Sequence, residues 1–139
     1  MSILKILVPL DGTEKSMHSL SWLKKNFGEE DNEVTLINVI EIIYNGEAES
    51  IAELSELKIN KGGSNRILDE ASSRLKGYKV HKLSAHGIIA DRILQEAGDG
   101  NYDLIIMTKS SVKGISRIIG SITSKVVRYS DVAVIVVPE

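Results

Sequence analysis

The sequence predicts an α/β fold, a doubly wound parallel sheet with helices on both sides. Three observations carry this reading: four short apolar runs lack alternation, amphipathic helical patterns separate them, and Asp, Gly, Pro or Asn bounds each run. A strand exposed on one face alternates apolar and polar residues, so a continuous Val- and Ile-rich run implies cover on both faces. Strands alternating with helices then imply right-handed βαβ units.

The first run, Ile3 to Val8, leads into Pro9-Leu10-Asp11-Gly12, where the glycine permits a tight strand-to-helix turn. Thr13 caps a helix in which Met17, Leu20, Leu23 and Phe27 recur every three or four residues, ending at Gly28. Val34 to Ile40 is the second run. From Ile42 to Ser64 the pattern is weakest: Ile51, Leu54 and Leu57 have helical spacing, but Gly62 and Gly63 interrupt it. A short helix or mobile excursion followed by a second helix is expected there. Lys61-Gly62-Gly63-Ser64 follows no strand and lacks Walker spacing, so it reads as a helix break and not as a phosphate loop.

Ile67, Leu68, Ala71 and Leu75 continue as a helix up to Gly77, and Tyr78 to Leu83 is a weaker fifth strand. Ile89, Ile93, Leu94 and Ala97 mark a helix before Gly98, and Leu104 to Met107 is the next strand. The last helix carries Ile122, Val126, Val127 and Tyr129, and Val132 to Val137 is the last strand.

Composition bounds the function. A chain of 139 residues fits one domain, spanning 1–139. Its 17 Lys and Arg against 19 Asp and Glu leave a net charge of −2, which gives no electrostatic case for nucleic acid or an anionic membrane as partner. Cysteine is absent, which excludes disulfides, thiolate metal sites and cysteine nucleophiles, and suits a cytoplasmic protein. The opening MSILKILVPL reads as a first strand, not as a signal peptide, and no run approaches the ~20 apolar residues that cross a bilayer. A soluble protein is expected.

In open α/β sheets a ligand sits beyond the carboxyl ends of the strands, where the strand order reverses. Here that crevice is expected between the ends of the first and fourth strands, at Pro9 to Gly12 and at Met107-Thr108-Lys109. Asp11 is placed to accept hydrogen bonds in the crevice or to order its own turn, two compatible roles. Gly120-Ser121 precedes the last helix, where main-chain amides and the helix N-terminus favour an anion. The pair is equally an ordinary helix start.

No catalytic constellation stands out. A phosphoacceptor domain needs an Asp closing the third strand, which here ends near Ser84. His18, His81 and His86 lack metal-ligand spacing and read as surface or turn histidines, and His86-Gly87 has no histidine two residues upstream. No nucleophile elbow places a Ser on a strand-to-helix turn.

The segments ILVPLDGTEKSMHSL, LINVIE, DLIIM and GSITSKVVRYSDVAVIVVP, in that order, resemble the universal stress protein family over nearly the whole chain. The resemblance implies a Rossmann-like, adenine nucleotide alpha hydrolase-like three-layer sandwich with five parallel strands in the order 3-2-1-4-5. It also implies a cytoplasmic homodimer paired through the last strand, Val132 to Val137. Nucleotide-binding members hold ATP, here with Mg²⁺ as its companion, in a loop of Gly, two residues, Gly, nine residues, Gly, then Ser or Thr. On this sequence the closing pair is Gly120-Ser121, but Thr108 and Ser111 stand where the first two glycines belong, and the stretch to Gly120 is one residue short.

Gly114 resembles a glycine inside the family's loop. By resemblance, adenine lies near Pro9, Asp11 and the main chain of Val39, with Met107 and Ile122 as apolar walls. Leu10, Thr108, Ser111, Gly120, Ser121 and Thr123 complete the nucleotide-binding set. Side chains at Thr108 and Ser111 obstruct close backbone approach, although their hydroxyls and the cations Lys109, Lys113 and Arg117 suit phosphates. Two readings stand: an adenine nucleotide-responsive regulator, and a nucleotide-free dimeric interaction module. A weak ATPase is a third.

Overall fold

The computed structural model describes residues 3–42, 51–109 and 120–138, with backbone alone for 51–60. In chain order the elements are β1 (Leu4–Pro9), α1 (Glu14–Asn26), β2 (Asn32–Glu41), α2 (Ile51–Ser73), β3 (Lys79–Gly87), α3 (Ile89–Asp99), β4 (Leu104–Thr108), α4 (Ser121–Tyr129) and β5 (Ala133–Val137). All strand pairs are parallel and the sheet order is β3-β2-β1-β4-β5, as the sequence predicts.

Period-two geometry explains the unbroken apolar runs. Ile6, Val8, Val34, Leu36, Leu104 and Ile106 point to one face, where Met17, Leu20 and Leu23 of α1 and Leu68 and Ala71 of α2 cover them. Leu7, Ile37, Val39, Ile105 and Met107 point to the other, against Ala90, Ile93 and Ala97 of α3 and Val126 of α4. Each fully buried Val, Leu or Ile contributes about 1.5–3 kcal/mol relative to exposure, so both faces are needed to hold the three central strands in place.

Two expectations are corrected. The Gly62-Gly63 pair does not break a helix: α2 runs continuously from Ile51 to Ser73. The reason is tertiary packing. Ser64, Leu68, Ala71 and Leu75 form one buried stripe, and the Ser64 hydroxyl lies 2.8 Å from that of Ser84 on β3. Two glycines cost roughly 2 kcal/mol of helix propensity together, less than the burial of Leu68 and Leu75 returns. The other half of that expectation, a mobile excursion, concerns 43–50, which lie outside the described residues.

The third strand also runs past Leu83 to Gly87. Its last four residues pair with β2 through Ser84↔Asn38, Ala85↔Val39, His86↔Ile40 and Gly87↔Glu41. Backbone pairing extends this edge strand where apolar side chains give no signal. No Asp closes it in either case, and His86 sits on the strand itself, not in a turn.

The two sheet edges differ. On β3, the Nε2 of His81 is 2.6 Å from the Oε1 of Glu33, and Lys82 pairs with Asp69 at 2.8 Å. On β5, Val134, Ile135 and Val136 are half-buried and apolar. On α4, which packs against β5, Val127 and Tyr129 are 46% and 60% exposed.

A Cβ added at Gly63 would meet no atom within 4 Å. Gly63→Ala is therefore expected to raise unfolding stability by about 0.5–1 kcal/mol in urea titrations. A loss of stability would show that the helix is not continuous at this point.

Candidate functional site

The chain places β2 and β3 on one side of β1 and β4 and β5 on the other. The connections after β1 and β4 therefore leave toward opposite faces, through α1 and α4, and open a crevice above the strand ends. The ladder between the two strands pairs Ile6 with Leu104 and Leu7 with Ile105, and above it the chains part.

A pocket of about 180 Å³ occupies this crevice. Pro9, Leu10 and Asp11 form one wall, Ile37, Asn38 and Val39 the second, and Met107 and Thr108 the third; Ser16, Ile89, Ile93, Ile122 and Thr123 close it from the helices. Of the residues expected from the sequence, Pro9, Leu10, Asp11, Val39, Met107, Thr108, Ile122 and Thr123 are brought together. Gly120 and Ser121 stand at the start of α4, bordering the crevice without lining the pocket. Ser111, with Lys113, Gly114 and Arg117, lies outside the described residues.

Local bonding explains the shape. The Oδ1 of Asp11 accepts from the Thr13 main-chain N–H at 2.9 Å and from the Thr13 hydroxyl at 2.6 Å. The Thr13 hydroxyl oxygen in turn accepts the Ser16 N–H at 3.1 Å and so caps α1. Asp11 thus orders its own turn while also lining the pocket. Gly12 has φ +90°, and a Cβ there would lie 2.8 Å from the Cδ1 of Ile67, so this turn accepts only glycine without strain.

Asn38 is a buried strut. Its Nδ2 donates to the Leu10 carbonyl at 2.7 Å and holds the chain leaving β1 against β2. The Leu10 N–H donates to the Ile37 carbonyl, so the main chain of Ile37 faces β1. Main-chain groups alternate sides along a strand, and those of Val39 therefore point the same way, into the space beyond the end of β1. That gives the pocket an adjacent donor and acceptor in an otherwise apolar wall.

Across the crevice, the Thr123 hydroxyl donates to the Thr108 carbonyl at 3.1 Å. The Lys109 N–H bonds the Val137 carbonyl at 2.9 Å, and the Gly120 N–H bonds the Lys109 carbonyl at 3.0 Å. Gly120 has φ −59°, open to any residue, so the glycine is not required by backbone conformation.

Sequence reasoning missed Ser16, Ile37, Asn38, Ile89 and Ile93. A polar residue inside the apolar run Val34 to Ile40 was the available signal for Asn38. The isoleucines carry the same spacing as core residues and gave none.

Residues 3–138 match the family model for the universal stress protein family. A universal stress protein of Methanocaldococcus jannaschii, MJ0531, is 30% identical over 143 residues, covering 96% of this chain and 81% of its own length. Among solved structures, the protein MJ0577 superposes with a TM-score of 0.79 at 29% identity, covering 99% of this chain and 96% of its own. A universal stress protein in complex with cAMP has a TM-score of 0.73 at 17% identity, with coverage of 99% and 98%.

Asn38→Ala leaves the Leu10 carbonyl without its partner in a buried position. A loss of about 1–3 kcal/mol is expected, seen as a lower urea midpoint with an unchanged slope. An unchanged midpoint would show that water replaces the amide there.

Proposed function

The chain belongs to the universal stress protein family, and we propose that it is a cytoplasmic regulator whose state is set by an adenine nucleotide bound in the crevice between β1 and β4. The observation that carries this reading is the main chain of Val39, which offers a donor and an acceptor side by side beyond the end of β1. Adenine presents the complementary pair, a ring nitrogen that accepts beside an amino group that donates. Met107 and Ile122 supply apolar walls for its faces. A cavity of roughly 150 Å³ holds one benzene ring; at about 180 Å³ and open to solvent, this pocket suits a flat base with the remainder of the nucleotide outside. The neighbour in complex with cAMP is in keeping with such a ligand. ATP with Mg²⁺ is the form the family's loop accommodates, with Gly120, Ser121 and Thr108 nearest to its phosphates.

A second reading is supported by Thr108, whose side chain stands where the family's loop has glycine. On that reading the protein is a nucleotide-free interaction module. Both readings include a homodimer. The β5 edge is apolar, and the neighbouring helix α4 exposes Val127 and Tyr129, which favours pairing with a second copy of the chain along this strand. A weak ATPase activity is the third reading.

Saturation at a hundredfold over Kd would add about 2.7 kcal/mol to stability, so an adenine nucleotide should raise Tm by several degrees. No shift, with no nucleotide released on denaturation, would favour the interaction module. Independently of that result, glycine at both Thr108 and Ser111 should raise ATP affinity if the site is a decayed one, whereas tight wild-type binding left unchanged would mark a variant site. Val127→Glu, at an exposed position of α4, should weaken the dimer about tenfold or more in sedimentation analysis without lowering Tm of the monomer. A monomeric wild type would overturn the dimer.

A further inference from the structure

Asn38 carries a hydrogen-bonding group that the fold does not use. The residue is 7% exposed and lines the pocket. The side-chain group that lies 2.7 Å from the Leu10 carbonyl must be its amide nitrogen, because one carbonyl oxygen has no proton to offer another. That contact fixes the amide orientation and leaves Oδ1 over. Among the described residues no group donates to this oxygen, and none of their side-chain oxygens or nitrogens is both shut off from solvent and without a partner. Oδ1 is therefore an acceptor on a nine-tenths buried side chain, and the open space that the residue borders is the pocket.

Strand direction places this acceptor relative to the Val39 main chain. β2 runs from Asn32 to Glu41, so the Val39 N–H lies on the Asn38 side and the Val39 carbonyl on the Ile40 side. In a continued parallel ladder the Leu10 carbonyl would take the Val39 N–H; the Asn38 amide takes it instead. A purine that offers ring nitrogen N1 to that N–H and its 6-amino group to that carbonyl keeps the ribose on its far edge, outside the pocket. Its carbon C2, which flanks N1 on the side away from the amino group, then faces Asn38.

Resting on the adenine reading above, we propose that Asn38 is a specificity-determining residue that reads position 2 of the bound purine through Oδ1. An acceptor there favours a donor on the ligand. The polarised C2–H of adenine is a weak donor and a 2-amino group is a strong one, whereas an electron-rich 2-oxo group is repelled. The ligand class is thus 6-aminopurine nucleotides with hydrogen or an amino group at position 2. Guanine carries the 2-amino group, but its 6-oxo group and N1–H oppose the Val39 carbonyl and N–H, so it stays excluded.

Calorimetric titration of the full chain with AMP and with 2-aminoadenosine 5′-monophosphate, on the wild type and on Asn38→Ala, tests this. In the wild type the 2-amino group should tighten binding about three- to tenfold, the range of one added neutral hydrogen bond. In Asn38→Ala, where loss of the strut affects both ligands alike, that gain should vanish. No gain in the wild type, or the same gain in the variant, would overturn the proposal and leave the adenine reading standing. Failure of both nucleotides to bind the wild type would overturn both. A measurement on the wild type alone covers the case in which Asn38→Ala does not fold. The NMR resonance of the Asn38 side-chain carbonyl carbon should move farther downfield with the 2-amino nucleotide than with AMP; identical positions would overturn the proposal.

Discussion

The reversal of strand order beside β1 is the constraint on which the rest of this structure depends. A central parallel strand must be covered on both faces, so its side chains are apolar without alternation. Because its neighbours lie on either side, the connections after β1 and β4 must leave to opposite faces. The crevice is what remains between those departures. It is a product of topology before any residue in it is chosen, and Ile6, Leu7, Leu104 and Ile105 hold its base closed.

Residues at the crevice then serve the fold and line the pocket at once. Asp11 orders the turn that begins α1 and also forms a pocket wall, while Asn38 fixes the direction of the chain leaving β1. Such sharing limits change. Polar atoms engaged in a buried network are costly to orphan, so the apolar lining is freer to vary than Asn38.

Hydrophobic period and the residue types at strand ends made most element centres and the pocket walls at Pro9 to Asp11 and Met107-Thr108 legible, while the sheet order and the remaining pocket residues came from the family resemblance. The failures of the sequence reading have a shared physical cause. Gly62 and Gly63 argue locally for a break, but Leu68 and Leu75 pack at a distance and overrule them. Ser84 to Gly87 look like a loop because edge strands are held by main-chain bonds that side-chain patterns do not record. Ile89 and Ile93 line the pocket with the same side chains that build the core. Which donors at Lys109 and Gly120 are already spent is a matter of geometry, and no spacing rule encodes it.

The unlike edges of the sheet bear on how far self-association can run. An exposed strand edge is a template for another chain, and a sheet with two receptive edges could add copies without limit. Here the β3 edge carries Lys79 and Lys82, whose charges and their partners Glu33 and Asp69 resist docking of a second sheet. Among the described residues the β5 edge has no such guard, and pairing two copies across a two-fold axis would use it up on both. Growth would then stop at two, because the surface that remains exposed at either end of the joined sheet is the repelling one.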